Sequence, residues 1–214
     1  MTPLEARVLG VLVEKQHTVP DTYPLSLNAL VAGCNQKTAR APVIDASDAE
    51  VLTAVDGLKG LSLVFEGSGS RVIKFEHNAA RVLGVPSQSV ALLVVLMLRG
   101  PQTAAELRLN CERLHRFADI SSVEGFLDEL AGKAPARVVK LPRAAGEREA
   151  RWAHLLCGEV AIPADTTAPG EPAQGVSAGE IAALKAEQTR LANELAELRT
   201  LVQRMARDLG VEGA

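Results

Sequence analysis

One hydrophobic pattern occurs twice in this chain, and it constrains the fold more than any other feature. Val51, Val55, Asp56 and Leu58 reappear as Val123, Leu127, Asp128 and Leu130, each 72 positions later. Leu30 and Cys34 reappear as Leu107 and Cys111, each 77 positions later, as a five-residue deletion in the second copy would produce. Recurrence in phase at two linked offsets marks a duplicated structural unit.

Each copy has the same order of elements. In the first, Leu4, Val8, Leu9, Leu12 and Val13 have helical spacing over residues 4–16. A turn-rich stretch follows, then a second helix over 25–34. Ser47, with Glu50 three residues on, is a capping box that opens a third helix ending near Gly60. The runs LSLVFE and RVIKFEH, joined by Gly67-Ser68-Gly69-Ser70, read as a hairpin. In the second copy, Ser87 or Ser89 opens an apolar helix through Leu98, and Thr103 caps AAELRLNCERLHRF. Ser121 with Glu124 caps the third helix, and RVVKLPR and ARWAHLLC form the strands. Three helices and a terminal hairpin are the winged helix-turn-helix plan. The expected fold class is α+β, mainly α: winged-helix domains at 1–84 and 85–158.

Residues 159–176 are rich in Pro, Ala, Gly and Thr and read as a flexible linker. Beyond it, Ile181, Leu184, Leu191, Leu195, Leu198, Val202 and Met205 recur at spacings of three and four, apart from Gln188 in the same seam. This is a heptad stripe over 177–210, the signature of a coiled-coil helix, and it predicts a homo-oligomer, simplest as a dimer.

The totals exclude several classes. With 47% hydrophobic and 23% charged residues the composition is globular, and the densest apolar run, 90–98, is far too short to span a bilayer. Neither a signal peptide nor a transit peptide is visible, and three widely spaced cysteines outside any CxxC pair fit a reducing, cytoplasmic setting. Aromatic content of 3% argues against a stacking surface for single strands. Charge is uneven: Lys and Arg against Asp and Glu number eight to nine in 1–84, ten to eight in 85–158, and five to nine in 159–214.

The stretches TPLEARVLGVLVEKQHTVPDTYPLSLNALVAGCNQKTARAPV and GPQTAAELRLNCERLHRF resemble the YceH-like proteins of bacteria, over roughly residues 2–158. That resemblance implies two winged-helix domains and brings no biochemical activity with it.

No catalytic constellation, metal site or cofactor site is legible. His17, His77, His115 and His154 fall on four separate elements, and no Cys/His spacing suits a metal. Cys34 and Cys111 occupy equivalent apolar positions and read as small core residues. Gly67 to Ser70 joins two strands and lacks a P-loop lysine. A non-enzymatic binding protein is therefore expected, and two partner classes stay open: double-stranded DNA and a protein.

For DNA, the usual recognition helices are unfavourable. The third helix carries Asp48, Glu50 and Asp56 against Lys59 in the first copy, and Glu124, Asp128 and Glu129 against Lys133 in the second. Basic residues gather elsewhere: Arg108, Arg113 and Arg116, then Lys140, Arg143 and Arg148 about the second wing, and Lys37 and Arg40 in the loop NQKTARAPV. These eight are the candidate phosphate contacts. Glu106, Glu112, Glu147 and Glu149 lie among them, so a salt-bridged solvated face is the competing reading.

Overall fold

A computed structural model describes residues 1–67, 72–143, 147 and 149–160. They fold as α+β, dominated by helices, within one compact unit. Arg148, nearly all of the expected linker and the whole heptad stripe lie outside the described residues.

The first helix, α1 (Pro3–Thr18), starts where Thr2 Oγ1 accepts from the Glu5 N–H at 3.2 Å and the Glu5 carboxylate accepts from the Thr2 N–H at 2.7 Å. Pro3 sits at the first helical position, where its missing N–H costs nothing. The expected second helix is shorter at its start. Leu25–Ser26 form a two-residue strand, β1, and α2 (Leu27–Cys34) begins after Ser26, whose hydroxyl caps Ala29. Ser47 and Glu50 form the expected capping box of α3 (Asp48–Gly60). The hairpin is β2 (Val64–Gly67) and β3 (Lys74–His77), and the sheet order is β1-β3-β2, all antiparallel. A short helix, α4 (Ala79–Leu83), follows and ends at Gly84, whose φ of 63° favours glycine.

In the second copy, α5 (Ser87–Arg99) is buried over most of its length, from Ser89 to Leu98. Two expectations need correction there. The second helix, α6, covers only Ala104–Asn110. From Cys111 the chain turns, the Leu114 and His115 amides both donating to the Cys111 carbonyl, which carries Phe117 into the core beside His115 and Phe126. The third helix, α7 (Ile120–Ala131), is capped by Asp119 instead of Ser121. Asp119 accepts from the Ser122 N–H at 2.7 Å, and Ser122, not Glu124, closes the box. Strands β4 (Val138–Lys140) and β5 (Trp152–His154) pair antiparallel.

The repeat is visible in the geometry. Leu25 pairs with Phe75 in the first copy and Gln102 bridges to Trp152 in the second, both members displaced by 77. Leu30, Cys34, Val51, Val55 and Leu58 and their counterparts Leu107, Cys111, Val123, Leu127 and Leu130 are all inaccessible, while Asp56 and Asp128 are exposed. Both copies feed one continuous apolar cluster through α1 and α5. These helices approach so closely that a Cβ on Gly10 would fall 2.9 Å from Leu98 Cδ2. Each fully buried leucine contributes roughly 1.5–3 kcal/mol. Among the described residues no helix is long and apolar enough to cross a membrane.

Candidate functional site

The sequence-predicted basic residues divide sharply by environment. Arg40 is 6% exposed. Its Nε donates to the Gly33 carbonyl, Nη1 to the Ala39 carbonyl and Glu14, and Nη2 to Glu14 at 2.5 Å. It caps the end of α2 and neutralises Glu14, so it has no place on a phosphate-binding surface. Arg108 is half-buried and donates from Nη2 to the Ala118 carbonyl, closing the loop between α6 and α7. The sequence could not show this, because an arginine in a polar segment looks the same whether it grips solvent or the backbone.

Arg113, Arg116, Lys37, Lys140 and Arg143 are exposed. Lys140 Nζ stands 5.3 Å from the Trp152 ring centroid, so its charge is held against an aromatic face. Arg151, by contrast, is pinned to Glu106 at 2.9 Å and Glu147 at 3.1 Å. That is the interleaved salt-bridge arrangement, realised on the second hairpin.

One of the exposed residues, Arg113, meets basic groups absent from the predicted set. A polar cleft of about 470 Å³ opens between the end of α1, the loop after α2, the end of α5 and the turn after α6. Lys15, Arg99 and Arg113 line it, together with Gln36, Thr38 and Asn110. Lys37 sits between two lining residues. Lys15 Nζ donates to Gln36 at 3.2 Å and lies 3.6 Å from Glu14. Since Glu14 is already gripped by Arg40, the cleft keeps a positive excess.

A second hollow of about 360 Å³ shares Ala39, Arg99 and Asn110 with the first, but its other cations, Arg40 and Arg151, are paired with Glu14 and Glu106, so the unpaired positive charge stays with the first cleft. Lys15 and Arg99 occupy the last turns of their helices, where the dipole favours cations. That position was the only sequence signal for them. Their 84-residue separation hid the fact that they face one cleft.

The third helices present what their sequences suggest. Asp48, Glu50, Asp56, Glu124, Asp128 and Glu129 are all exposed, and Lys59 is paired with Asp56 and Glu66. The cysteines offer no activated thiolate. Burial pushes the Cys34 thiol up to about 11 and the Cys111 thiol up to about 12.

Comparison with known proteins adds a family but no chemistry. Residues 1–147 match a family model described as "Protein of unknown function, DUF480". The chain is similar to the UPF0502 proteins of Burkholderia multivorans, at 70% identity, Burkholderia thailandensis, at 69%, and Paraburkholderia phytofirmans, at 68%. Each alignment runs over 212 residues, covering 99% of this chain and 90% of the relative.

Proposed function

The chain belongs to the DUF480 (UPF0502) family of bacterial proteins, whose description states no activity, and from its own geometry we propose a non-enzymatic, tandem winged-helix protein that tracks the phosphate backbone of duplex DNA. The strand order β1-β3-β2 behind three helices, echoed by the Gln102–Trp152 bridge, supports the winged-helix reading. The observation that carries the DNA reading is the cleft, where cations from α1, α5 and the turn after α6 converge with their nearest carboxylate already paired. Such a surface reads charge, not sequence, so binding is weak, sequence-tolerant and steeply salt-dependent. In the same reading the heptad stripe joins two copies in the cytoplasm and doubles the number of clefts each assembly offers.

Fluorescence-anisotropy titration against random duplex DNA at low and moderate salt tests this. The protein binds at low salt, and Arg99→Ala/Arg113→Ala lowers the slope of log affinity against log salt by about two, near one per phosphate contact removed. An unchanged slope removes the cleft from the interface.

A second reading rests on the acidic third helices together with the apolar residues Phe65 and Ile73 of the first hairpin segment, 45% and 59% exposed. Carboxylates flanked by exposed apolar side chains suit a protein partner better than a polyanion. Absence of DNA binding even at low salt selects this scaffold reading.

A further inference from the structure

A cavity separate from the basic cleft lies on another side of α1 and α5. It has about 520 Å³ of space, within the range of small-molecule sites, and lies between the start of α1, the 41–46 loop, the end of α5 and the residues around β5. Its walls are mostly apolar, with Leu4, Ile44, Leu96 and Met97 among them. One lining residue is out of keeping with those walls: Arg7, only 4% exposed.

Arg7 projects from α1 and donates from Nη1 to the Cys34 carbonyl at 3.0 Å and from Nη2 to the Pro42 carbonyl at 2.6 Å. Its Nε, also buried, has no acceptor. Among the described residues no carboxylate pairs with it. The contrast with Arg40 is instructive. Both guanidiniums cap the end of α2, but Arg40 has Glu14 and Arg7 has only carbonyl oxygens. The end of a helix supplies about half a unit of negative charge, so a full unit in an apolar wall stays under-compensated. Burial and the neighbouring Arg40 accordingly make the Arg7 proton easier to lose than usual.

The other polar groups around the cavity do not offer a counter-charge. Glu50 is tied into the α3 cap, accepting from the Ser47 N–H at 2.8 Å and hydroxyl at 2.6 Å. Asp45 is exposed and bonds to no cation. Desolvation lowers the proton affinity of His154, whose Nδ1 is buried without a partner, and raises that of the Cys157 thiol. Both are neutral near pH 7.

We propose that this cavity binds a small organic monocarboxylate, its apolar body against Leu4, Ile44, Leu96 and Met97 and its carboxylate on the Arg7 guanidinium. The two Nη atoms each retain an N–H beyond the one spent on a carbonyl, so a carboxylate can be added without breaking the existing bonds. The walls come from both copies of the repeat, so occupancy ties them together and raises their joint stability. The site is independent of the DNA reading, since none of its lining residues is a cation of the basic cleft.

The test uses full-length protein, isothermal titration calorimetry and thermal melting, with hexanoate, octanoate and benzoate as probes and the matching amides as neutral controls of the same shape. At least one acid binds saturably and raises Tm, and its amide binds at least tenfold more weakly, because only the acid forms a charge-assisted bond with the guanidinium. Arg7→Met abolishes the preference for acid over amide. Ala46→Trp, which fills the cavity and leaves the Arg7 side chain in place, abolishes binding of both and guards against a simple folding failure of the arginine variant. Equal affinity for acid and amide, binding that survives Ala46→Trp, or no binding of any of the three acids overturns the proposal. The last result with a lowered Tm in Arg7→Met assigns Arg7 to capping α2 alone.

Discussion

The imidazole of His77 is built into the fold in its neutral form. Nδ1 lies 3.3 Å from the Ala79 amide, which donates to it at the start of α4, so Nε2 carries the proton and donates to Gln16 Oε1 at 2.7 Å. Protonation of Nδ1 would break the first bond. Burial, and then the nearby His17, lower its pKa from 6.5 to about 4. The folded state therefore binds fewer protons than the unfolded chain between these values, and stability falls as pH drops from about 6.5 to about 4. Tyr23 packs edge-on to the ring and Glu76 precedes it, and neither forms an ion pair with it. With His77 partly exposed the loss is of order 1 kcal/mol. Denaturant titrations from pH 7 to 4.5 will show a shallower decline in His77→Gln than in the parent, the remainder coming partly from His154. Parallel curves would place the acid sensitivity elsewhere. None of this was legible from sequence, where His77 is one histidine in a strand. Its partners lie 61 residues back and two residues ahead.

At the scale of the element, what was legible follows from how local each cause is. Apolar spacing set the helices to within a few residues, because 3.6-residue periodicity depends on one face of one segment. The capping box at Ser47 was readable for the same reason: hydroxyl and carboxylate lie three residues apart. The α7 cap was misplaced because Ser121 and Glu124 match that spacing equally well. The preceding Asp119 instead accepts from the Ser122 N–H with a charged oxygen, and the Ser121 hydroxyl donates to it at 2.9 Å. Asp119→Ala is expected to lower Tm by a few degrees and Ser121→Ala by clearly less. Equal losses would return the cap to Ser121. By contrast, β1 and the end of α6 were hidden. A two-residue strand exists only because β3 is beside it, and the turn at Cys111 exists because Phe117 has a core to enter.

For the whole molecule, charge and periodicity make opposite demands on salt, and this separates the two associations proposed. Residues 159–214 carry five basic and nine acidic side chains, so two such segments repel at low ionic strength. If the stripe from Ile181 to Met205 joins two copies, its apolar seam works against that repulsion, and self-association strengthens as salt screens it. Binding of DNA through Lys15, Arg99 and Arg113 runs the other way and weakens with salt. Light scattering across a salt series should give twice the chain mass, most firmly at high salt. Leu191→Pro, which breaks a helix at a seam position, should give the single-chain mass at every salt concentration. The melting of the remaining core should be little changed, since the buried cluster lies entirely within residues 6–152. A Leu191→Pro protein that keeps the doubled mass would show that the seam does not hold the copies together. Loss of the core transition in the same variant would show instead that the stripe packs back on the repeats of its own chain, leaving each copy of the basic cleft to bind DNA alone.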